Sequence, residues 1–267
     1  MINRFWRSRT AVVTGAAQGL GRGIAERLLS EGVRVVLVDV NDELLAATAV
    51  ALRAVGELVS LVVDLTSVDA PAQIVAGAAD AFGTVDILVN NAGIGGSTRV
   101  DEVEERRWRE VLELHLHGSF RLTKAILPQM MEMRHGRIIN IASMNGITGF
   151  RRSSDYAVSK AALIALTRSL AADYGEFGIT ANAVAPGVVM TPLAERMLAS
   201  RPLWYARGNV ELKPIGRTGT VADIAATVAF FASDEAGYIS GQTLAVDGGL
   251  TATHYVPDRF SDERDEV

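Results

Sequence analysis

The feature that most constrains this chain is a regular alternation of short apolar runs with longer amphipathic stretches. Residues 10–14, 33–39, 58–64, 86–90, 137–143, 179–185 and 243–246 are dominated by Val, Ile, Leu and Ala and are predicted as strands. Residues 19–31, 42–55, 68–82, 103–133, 153–174 and 221–232 carry helical patterning. The strands are apolar throughout rather than alternating, which marks strands covered on both faces. Strand–helix alternation in turn implies parallel strands joined by right-handed crossovers. The expected fold class is α/β, a single-domain doubly wound parallel sheet with helices on both faces. Ligands of such a sheet bind outside the carboxyl ends of its strands.

The chain has 267 residues, and no linker, repeat or low-complexity tract divides the pattern. Residues 1–267 therefore read as one dinucleotide-binding and catalytic domain. The least regular internal segment, 188–219, holds Pro192, Pro202, Pro214 and several arginines, with Trp204 and Tyr205 able to wall an apolar ring. It is the expected substrate lid. The acidic tail 258–267 is expected to be solvated or at a subunit contact. Hydrophobic residues make up 49% and charged residues 21%, which excludes a disordered chain. A net charge of −5 argues against a broad nucleic-acid surface. With no cysteine there are no disulfides, no thiolate nucleophile and no cysteine-held metal. Arg4, Arg7 and Arg9 before the apolar stretch 10–17 resemble a leader, but Gly15, Gln18 and Arg22 interrupt it, and it reads as a buried strand. No apolar run approaches the roughly 20 residues of a membrane span. No nucleic-acid partner, no membrane and a cytoplasmic location are the expectations.

The turn between the first strand and first helix reads Thr14-Gly15-Ala16-Ala17-Gln18-Gly19-Leu20-Gly21. Its glycines allow a sharp turn and close approach to a pyrophosphate, and the helix start offers free N–H groups to it. Such a turn also occurs in strand–helix connections with no ligand. Asp39 sharpens the reading. It closes the second strand at about the distance from the glycines where an acid accepts hydrogen bonds from the ribose hydroxyls of NAD in Rossmann-type folds. It would repel the 2′-phosphate of NADP, and Val40 and Asn41 supply no compensating cation. The plain alternative is a strand-end acid that caps the next helix.

Several further motifs follow in order: Asp64 after the third strand, Asn90-Asn91-Ala92-Gly93, Ser143, Tyr156-Ala157-Val158-Ser159-Lys160, and Pro186-Gly187 followed by Thr191. With the glycine turn they make the chain, from Arg9 to about Thr251, resemble the short-chain dehydrogenase/reductase family. The resemblance implies that Asp64 contacts the adenine, that Asn90 holds the central strands, and that Asn91, Ala92 and Gly93 line the cofactor cleft. It implies a bond from Thr191 to the nicotinamide carboxamide. The expected cofactor set is Gly15, Gln18, Gly19, Leu20, Gly21, Asp39, Asp64, Leu65, Asn91, Ala92, Gly93, Tyr156, Lys160, Pro186, Gly187, Val189 and Thr191. The catalytic set is Ser143, Tyr156, Lys160 and His115. Chemistry supports it: Lys160 lies one turn along the helix from Tyr156, and a nearby ammonium and a bound NAD+ both lower a phenol's pKa so that it can serve as general base or acid. Ser143 can hold the substrate oxygen.

One position departs from the family pattern. His115 stands where a catalytic Asn usually helps hold a water linking Lys to solvent. The imidazole can exchange hydrogen bonds in the Asn's stead, or be a packed helix residue with only its carbonyl in use. His115, His117, His135 and His254 lack metal-ligand spacing, and no metal is expected. Arg151 and Arg152, just before the catalytic helix, can meet a substrate carboxylate or form a solvated loop.

The expected function is an NAD-dependent oxidoreductase interconverting a small secondary alcohol, with a cyclic diol among the candidates, and its ketone. Because cellular NAD is mostly oxidised, oxidation is the expected direction. The N-terminal stretch and residues 213–249 resemble dehydrogenases of cyclic cis-diols, including diene-diol carboxylates. A 3-oxoacyl-carrier-protein reductase, polyol and sugar dehydrogenases, and a non-catalytic nucleotide-binding regulator are the rivals. The resemblance also implies a homotetramer or dimer with the 103–133 and 153–174 helices at the interface.

Overall fold

A computed structural model describes residues 9–96, 98–192, 194–195 and 213–255. Seven parallel strands form one sheet: β1 (Thr10–Thr14), β2 (Arg34–Asp39), β3 (Leu58–Val62), β4 (Ile87–Asn90), β5 (Gly136–Ile141), β6 (Ile179–Pro186) and β7 (Thr243–Val246). Their order is β3-β2-β1-β4-β5-β6-β7. The helices are α1 (Gly19–Ser30), α2 (Asp42–Leu52), α3 (Ala70–Phe82), α4 (Glu105–Leu112), α5 (Ser119–Met133), α6 (Ser154–Tyr174) and α7 (Val221–Ala232). Two apolar layers sandwich the sheet. On one side, Ile24 and Leu28 of α1, Leu45 and Leu52 of α2 and Phe231 of α7 pack on Val13, Val35 and Leu37. On the other, Ile74 of α3, Leu122 and Ile126 of α5 and Leu170 of α6 pack on Val12, Val36 and Leu88.

β1, β4, β5 and β6 are buried along their whole length, as apolar runs without alternation require. The edge strands depart from this. Val62 of β3 and Leu244 of β7 are about half exposed, because each edge strand has a neighbour on one side only. β1 lies between β2 and β4, so the chain's direction of winding reverses there. That switch point opens a crevice at the carboxyl ends of β1 and β4.

The helical stretch expected over 103–133 is not one α-helix. Between α4 and α5 a π-helical turn spans Glu113–Gly118. Such a turn adds a residue to the helix and changes which side chains face inward. Here it buries His115 fully while His117 stays exposed. Gly118 permits the close packing: a Cβ there would sit 3.0 Å from the Leu65 carbonyl oxygen.

Val189 and Gly219 pair as an isolated parallel bridge, so the two ends of the expected lid meet. Residues 196–212 of that segment, with Pro202, Trp204 and Tyr205, lie outside the described residues, as do Arg4, Arg7 and the tail 258–267. Among the described residues no helix is long and apolar enough to cross a membrane.

Candidate active site

The crevice at the switch point is a cleft of about 880 Å³. Its floor begins at the turn after β1. Gly15 takes φ +65 and Gly19 φ +59, backbone conformations that favour glycine. At Gly15 a Cβ would lie 2.8 Å from the Ala92 Cα, so the turn packs directly on the loop after β4. Gln18 precedes α1 in an extended conformation, and no side chain caps the helix. The first N–H groups of α1 are therefore left to a ligand, and a helix start of this kind suits a pyrophosphate. Around Gly19 a Cβ would meet only the Thr191 side chain, at 3.6 Å. A bare backbone, uncapped donors and open space together fit a dinucleotide.

Asp39 ends β2 at the rim of this floor. One carboxylate oxygen accepts the Ala17 N–H at 3.0 Å and the other the Asn41 N–H at 3.0 Å. It thus braces the glycine turn and still faces the cleft. The cap of α2 is Asn41, whose side chain accepts from the Leu44 N–H, so capping does not account for Asp39. Asp64 lies two residues beyond the end of β3, where it accepts the Thr66 N–H and hydroxyl at 2.9 and 2.7 Å. Asn90 ties the sheet centre together: its amide donates to Asn140 and to Thr123, at 2.9 and 3.1 Å, and the Asn140 amide donates to Thr167 of α6. Asn91 donates to the Thr14 carbonyl at 2.8 Å and holds the two loops together.

Ser143, Tyr156 and Lys160 meet on the opposite wall. Ser143 follows β5 and opens a 3₁₀ turn, Met144–Gly146, by accepting the Asn145 N–H at 3.2 Å. A Cβ on Gly146 would come within 2.8 Å of the Lys160 backbone, so this glycine seats the serine turn on α6. Lys160 Nζ donates to the Ile141 carbonyl at 2.8 Å. Its ammonium sits 5.6 Å from the centre of the Tyr156 ring. Burial pushes the Lys160 ammonium down to about 8. Burial pushes the Tyr156 phenol up, and a hydrogen bond with the Ser143 hydroxyl pulls it back. In the protein without its nicotinamide, burial is the largest influence on the phenol, and it opposes the lowering expected from the ammonium and a bound NAD+.

The cleft is lined by every expected cofactor and catalytic residue except Gly21 and His115. Gly21 lies behind the wall, where a Cβ would sit 2.1 Å from the Gly15 carbonyl oxygen. It serves the close packing of α1 on the turn. His115 is fully buried, with both ring nitrogens engaged. Nε2 accepts the Ile94 N–H at 2.8 Å, which places the proton on Nδ1, 2.8 Å from Ser159 Oγ. The Ser159 hydroxyl then donates to the Tyr156 carbonyl at 2.7 Å. Gly93 makes room, since a Cβ there would touch Nε2 at 2.8 Å. The His115 ring meets the Tyr156 ring edge-on at 5.6 Å. Burial, then the Lys160 charge, pushes the imidazole down to about 2, and it stays neutral. Its carbonyl accepts the Ser119 hydroxyl at 2.8 Å.

Other residues were not legible as part of the site. Arg107 of α4 donates to the Gly95 carbonyl and lies 3.9 Å from the fully buried carboxylate of Asp155, which accepts the Tyr156 N–H at 2.8 Å. Together with His115 they clamp the loop 93–96 against α6. An acid directly before the tyrosine was the available signal.

The fold and site define a class: a doubly wound α/β protein with a dinucleotide-shaped cleft and a Ser–Tyr–Lys set on its wall. The chain belongs to the short-chain dehydrogenase/reductase family, whose members use a nicotinamide cofactor and act on alcohol and ketone groups. A family model described as enoyl-(acyl carrier protein) reductase matches residues 15–251. The 3-oxoacyl-[acyl-carrier-protein] reductase FabG of Escherichia coli (strain K12) is 39% identical over 246 residues, covering 92% of this chain and 98% of that protein. A structure of NAD+-bound xylitol dehydrogenase superimposes with a TM-score of 0.89 at 32% identity, covering 92% of this chain and all of that one (100%). Actinorhodin polyketide ketoreductase with NADPH gives 0.88 at 36% identity, over 92% and 98%.

Proposed function

We propose that this chain is an NAD-dependent oxidoreductase interconverting a small secondary alcohol and its ketone, with Tyr156 as general acid and base. The observation that carries the reading is that Ser143, Tyr156 and Lys160 line the same cleft as the glycine turn and Asp39, with the Lys160 Nζ 5.6 Å from the centre of the Tyr156 ring. When bound, the nicotinamide accepts a hydride from the carbinol carbon or gives one to the ketone. The chain's residues do the rest. Backbone groups of Gly15–Gly21 and the start of α1 hold the pyrophosphate. Asp39 accepts from ribose hydroxyls with the lone pairs that Ala17 and Asn41 leave free. Ser143 holds the substrate oxygen, and Tyr156 takes its proton in oxidation or returns it in reduction. Lys160, fixed by the Ile141 carbonyl, keeps a positive charge beside the tyrosine.

Preference for NAD rests on Asp39. No cation lines the cleft near it among the described residues, and Val40 beside it is exposed and apolar. The related structures divide, one with NAD+ and one with NADPH, and the acid without a neighbouring cation supports NAD here. Reduction of a 3-oxoacyl thioester on a carrier protein is the second reading, favoured by FabG and by the matching family's description. The cis-diol leaning rests on sequence phrases alone. We further propose one catalytic domain and a homo-oligomer through α4, α5 and α6, with no membrane or nucleic acid involved and a cytoplasmic location. Steady-state rates on a panel of secondary alcohols, polyols and cyclic diols with NAD+ and NADP+, and on a 3-oxoacyl thioester with NADH and NADPH, test the reading. Turnover of small alcohols with NAD+ preferred is expected. A thioester reduced far faster, with NADPH, would replace this reading by the second.

A further inference from the structure

The charged residues lining the cleft are segregated. Asp39 and Asp64 line the end that would hold the adenosine, whereas Arg151, Arg152 and Lys160 line the end that holds Ser143 and Tyr156. Among the described residues no carboxylate lines that second end. The nearest acids are already engaged: Glu102 binds Arg152 at 2.6 Å, and Asp155 is fully buried with the Tyr156 N–H and Arg107 as its neighbours. Arg152 holds a left-handed backbone, φ +56, which a residue with a side chain adopts rarely. Arg151, Arg152 and Ser153 line the same cleft as Tyr156. The Arg152 side chain is engaged by its ion pair with Glu102. Arg151, its neighbour, is exposed and has no hydrogen-bond or ion-pair partner among the described residues.

Resting on the oxidoreductase reading, we infer that Arg151 is a specificity residue that recognises a carboxylate on the substrate, distal to the reacting carbinol. One arginine is held in place by an acid and the other is left free, facing the same cleft. A single free guanidinium offers a planar fork matched to two coplanar carboxylate oxygens. A phosphate ester or pyrophosphate carries more charge and would need a second free cation, which Glu102 has removed by pairing with Arg152. The substrate class is therefore a hydroxy acid or oxo acid whose carboxylate lies at the cleft mouth while its carbinol or ketone lies at Ser143 and Tyr156.

The test is calorimetric titration of the NADH complex, in a Tyr156→Phe background that binds without reacting, with 4-oxocyclohexanecarboxylate, with 4-methylcyclohexanone and with 3-oxobutyryl-CoA, with Arg151 intact and with Arg151→Gln or Arg151→Glu added. The oxo acid is expected to bind at least about ten-fold tighter than the neutral ketone, the ratio one charge-assisted bidentate contact supplies. Arg151→Gln should bring the two within about three-fold of each other by weakening only the oxo acid, and Arg151→Glu should reverse the order. In turnover, Arg151→Gln should raise KM for the oxo acid and leave kcat nearly unchanged, since the carboxylate is held equally in ground and transition states. Equal binding of both ketones with Arg151 intact, or an oxo-acid preference that survives Arg151→Gln, overturns the inference while NADH binding still stands for the oxidoreductase reading. Tight binding of the CoA thioester alone, lost in Arg151→Gln, also overturns it and assigns the guanidinium to a phosphate. Failure to bind NADH at all removes the oxidoreductase reading and the inference with it.

Discussion

Replacing His115 tests how the site is held together. His115→Ala removes a fully buried ring and two hydrogen bonds, leaving the Ile94 N–H without an acceptor and Ser159 Oγ without a donor. Each orphaned buried group costs about 1–3 kcal/mol, and the lost edge-on contact with Tyr156 adds about 0.5–1.5 kcal/mol. A total near 5 kcal/mol follows, read as a fall in melting temperature of roughly 10–20 °C for a chain of this size. The side chains that restore it differ in reach. The Asn amide ends near the position of Nδ1 and can rebuild the Ser159 bond. The Gln amide extends to the position of Nε2 and can accept from Ile94. Each should recover about half of the loss. The dependence on pH is the sharper measurement. The folded imidazole is held at about 2, below its ordinary 6.5, so below that value the unfolded chain binds the extra proton. Stability conferred by His115 is present above about pH 6.5 and is lost as pH falls, by about 1.4 kcal/mol for each unit below it. Denaturant unfolding of wild type and His115→Asn between roughly pH 5.5 and 8 should therefore show their difference shrinking at the acid end. A difference that is constant across the range would refute the neutral, doubly bonded imidazole. A kcat–pH profile of His115→Asn that keeps the wild-type shape fits a positioning role, and a displaced pKa would return the residue to the proton path.

Three further outcomes follow from the site. Tyr156→Phe should lose all measurable turnover while NADH affinity by fluorescence titration stays within about three-fold, and turnover near wild type would overturn the catalytic assignment. Asp39→Ala combined with Val40→Arg should move the ratio of kcat/KM for NAD+ and NADP+ toward NADP+ by at least about ten-fold, and an unchanged ratio would remove Asp39 as the selector. Gly21→Ala places a methyl group where the Gly15 carbonyl stands 2.1 Å away, so the turn must shift. NADH affinity should fall at least about ten-fold, and wild-type affinity would show that the turn does not hold the pyrophosphate.

Strands were legible because they are buried on both faces, so their apolar runs are not mixed with polar residues. β1, α7 and β7 have the bounds read from the sequence, and where an end of another strand or helix differs, it does so by one to three residues. The π-helical turn was not legible. Residues 103–133 keep an apolar stripe through it, and the extra residue is fixed by tertiary partners: Leu65 against Gly118, and Ile94 and Ser159 around His115. The cleft residues were legible where a motif forces a backbone shape or an acid at a strand end. Arg107 and Asp155 were not, because their meeting depends on a loop from a third element. The departure at 115 illustrates the same limit. The sequence shows a histidine in place of an asparagine, but its tautomer follows from a backbone N–H twenty-one residues away in the chain.

The tyrosine and lysine also show why spacing alone misjudges their chemistry. One turn of helix brings them together, and charge proximity by itself would lower the phenol and raise the ammonium. The same burial that brings them together acts the other way on both: the Tyr156 phenol is raised and the Lys160 ammonium lowered to about 8. Below about pH 8 the lysine therefore carries its charge while the tyrosine remains a phenol. Ser143 pulls the phenol in the opposite sense, so the serine as well as the lysine sets its basicity. Oxidation requires the phenolate, which higher pH favours, and reduction requires the phenol and is favoured below that range.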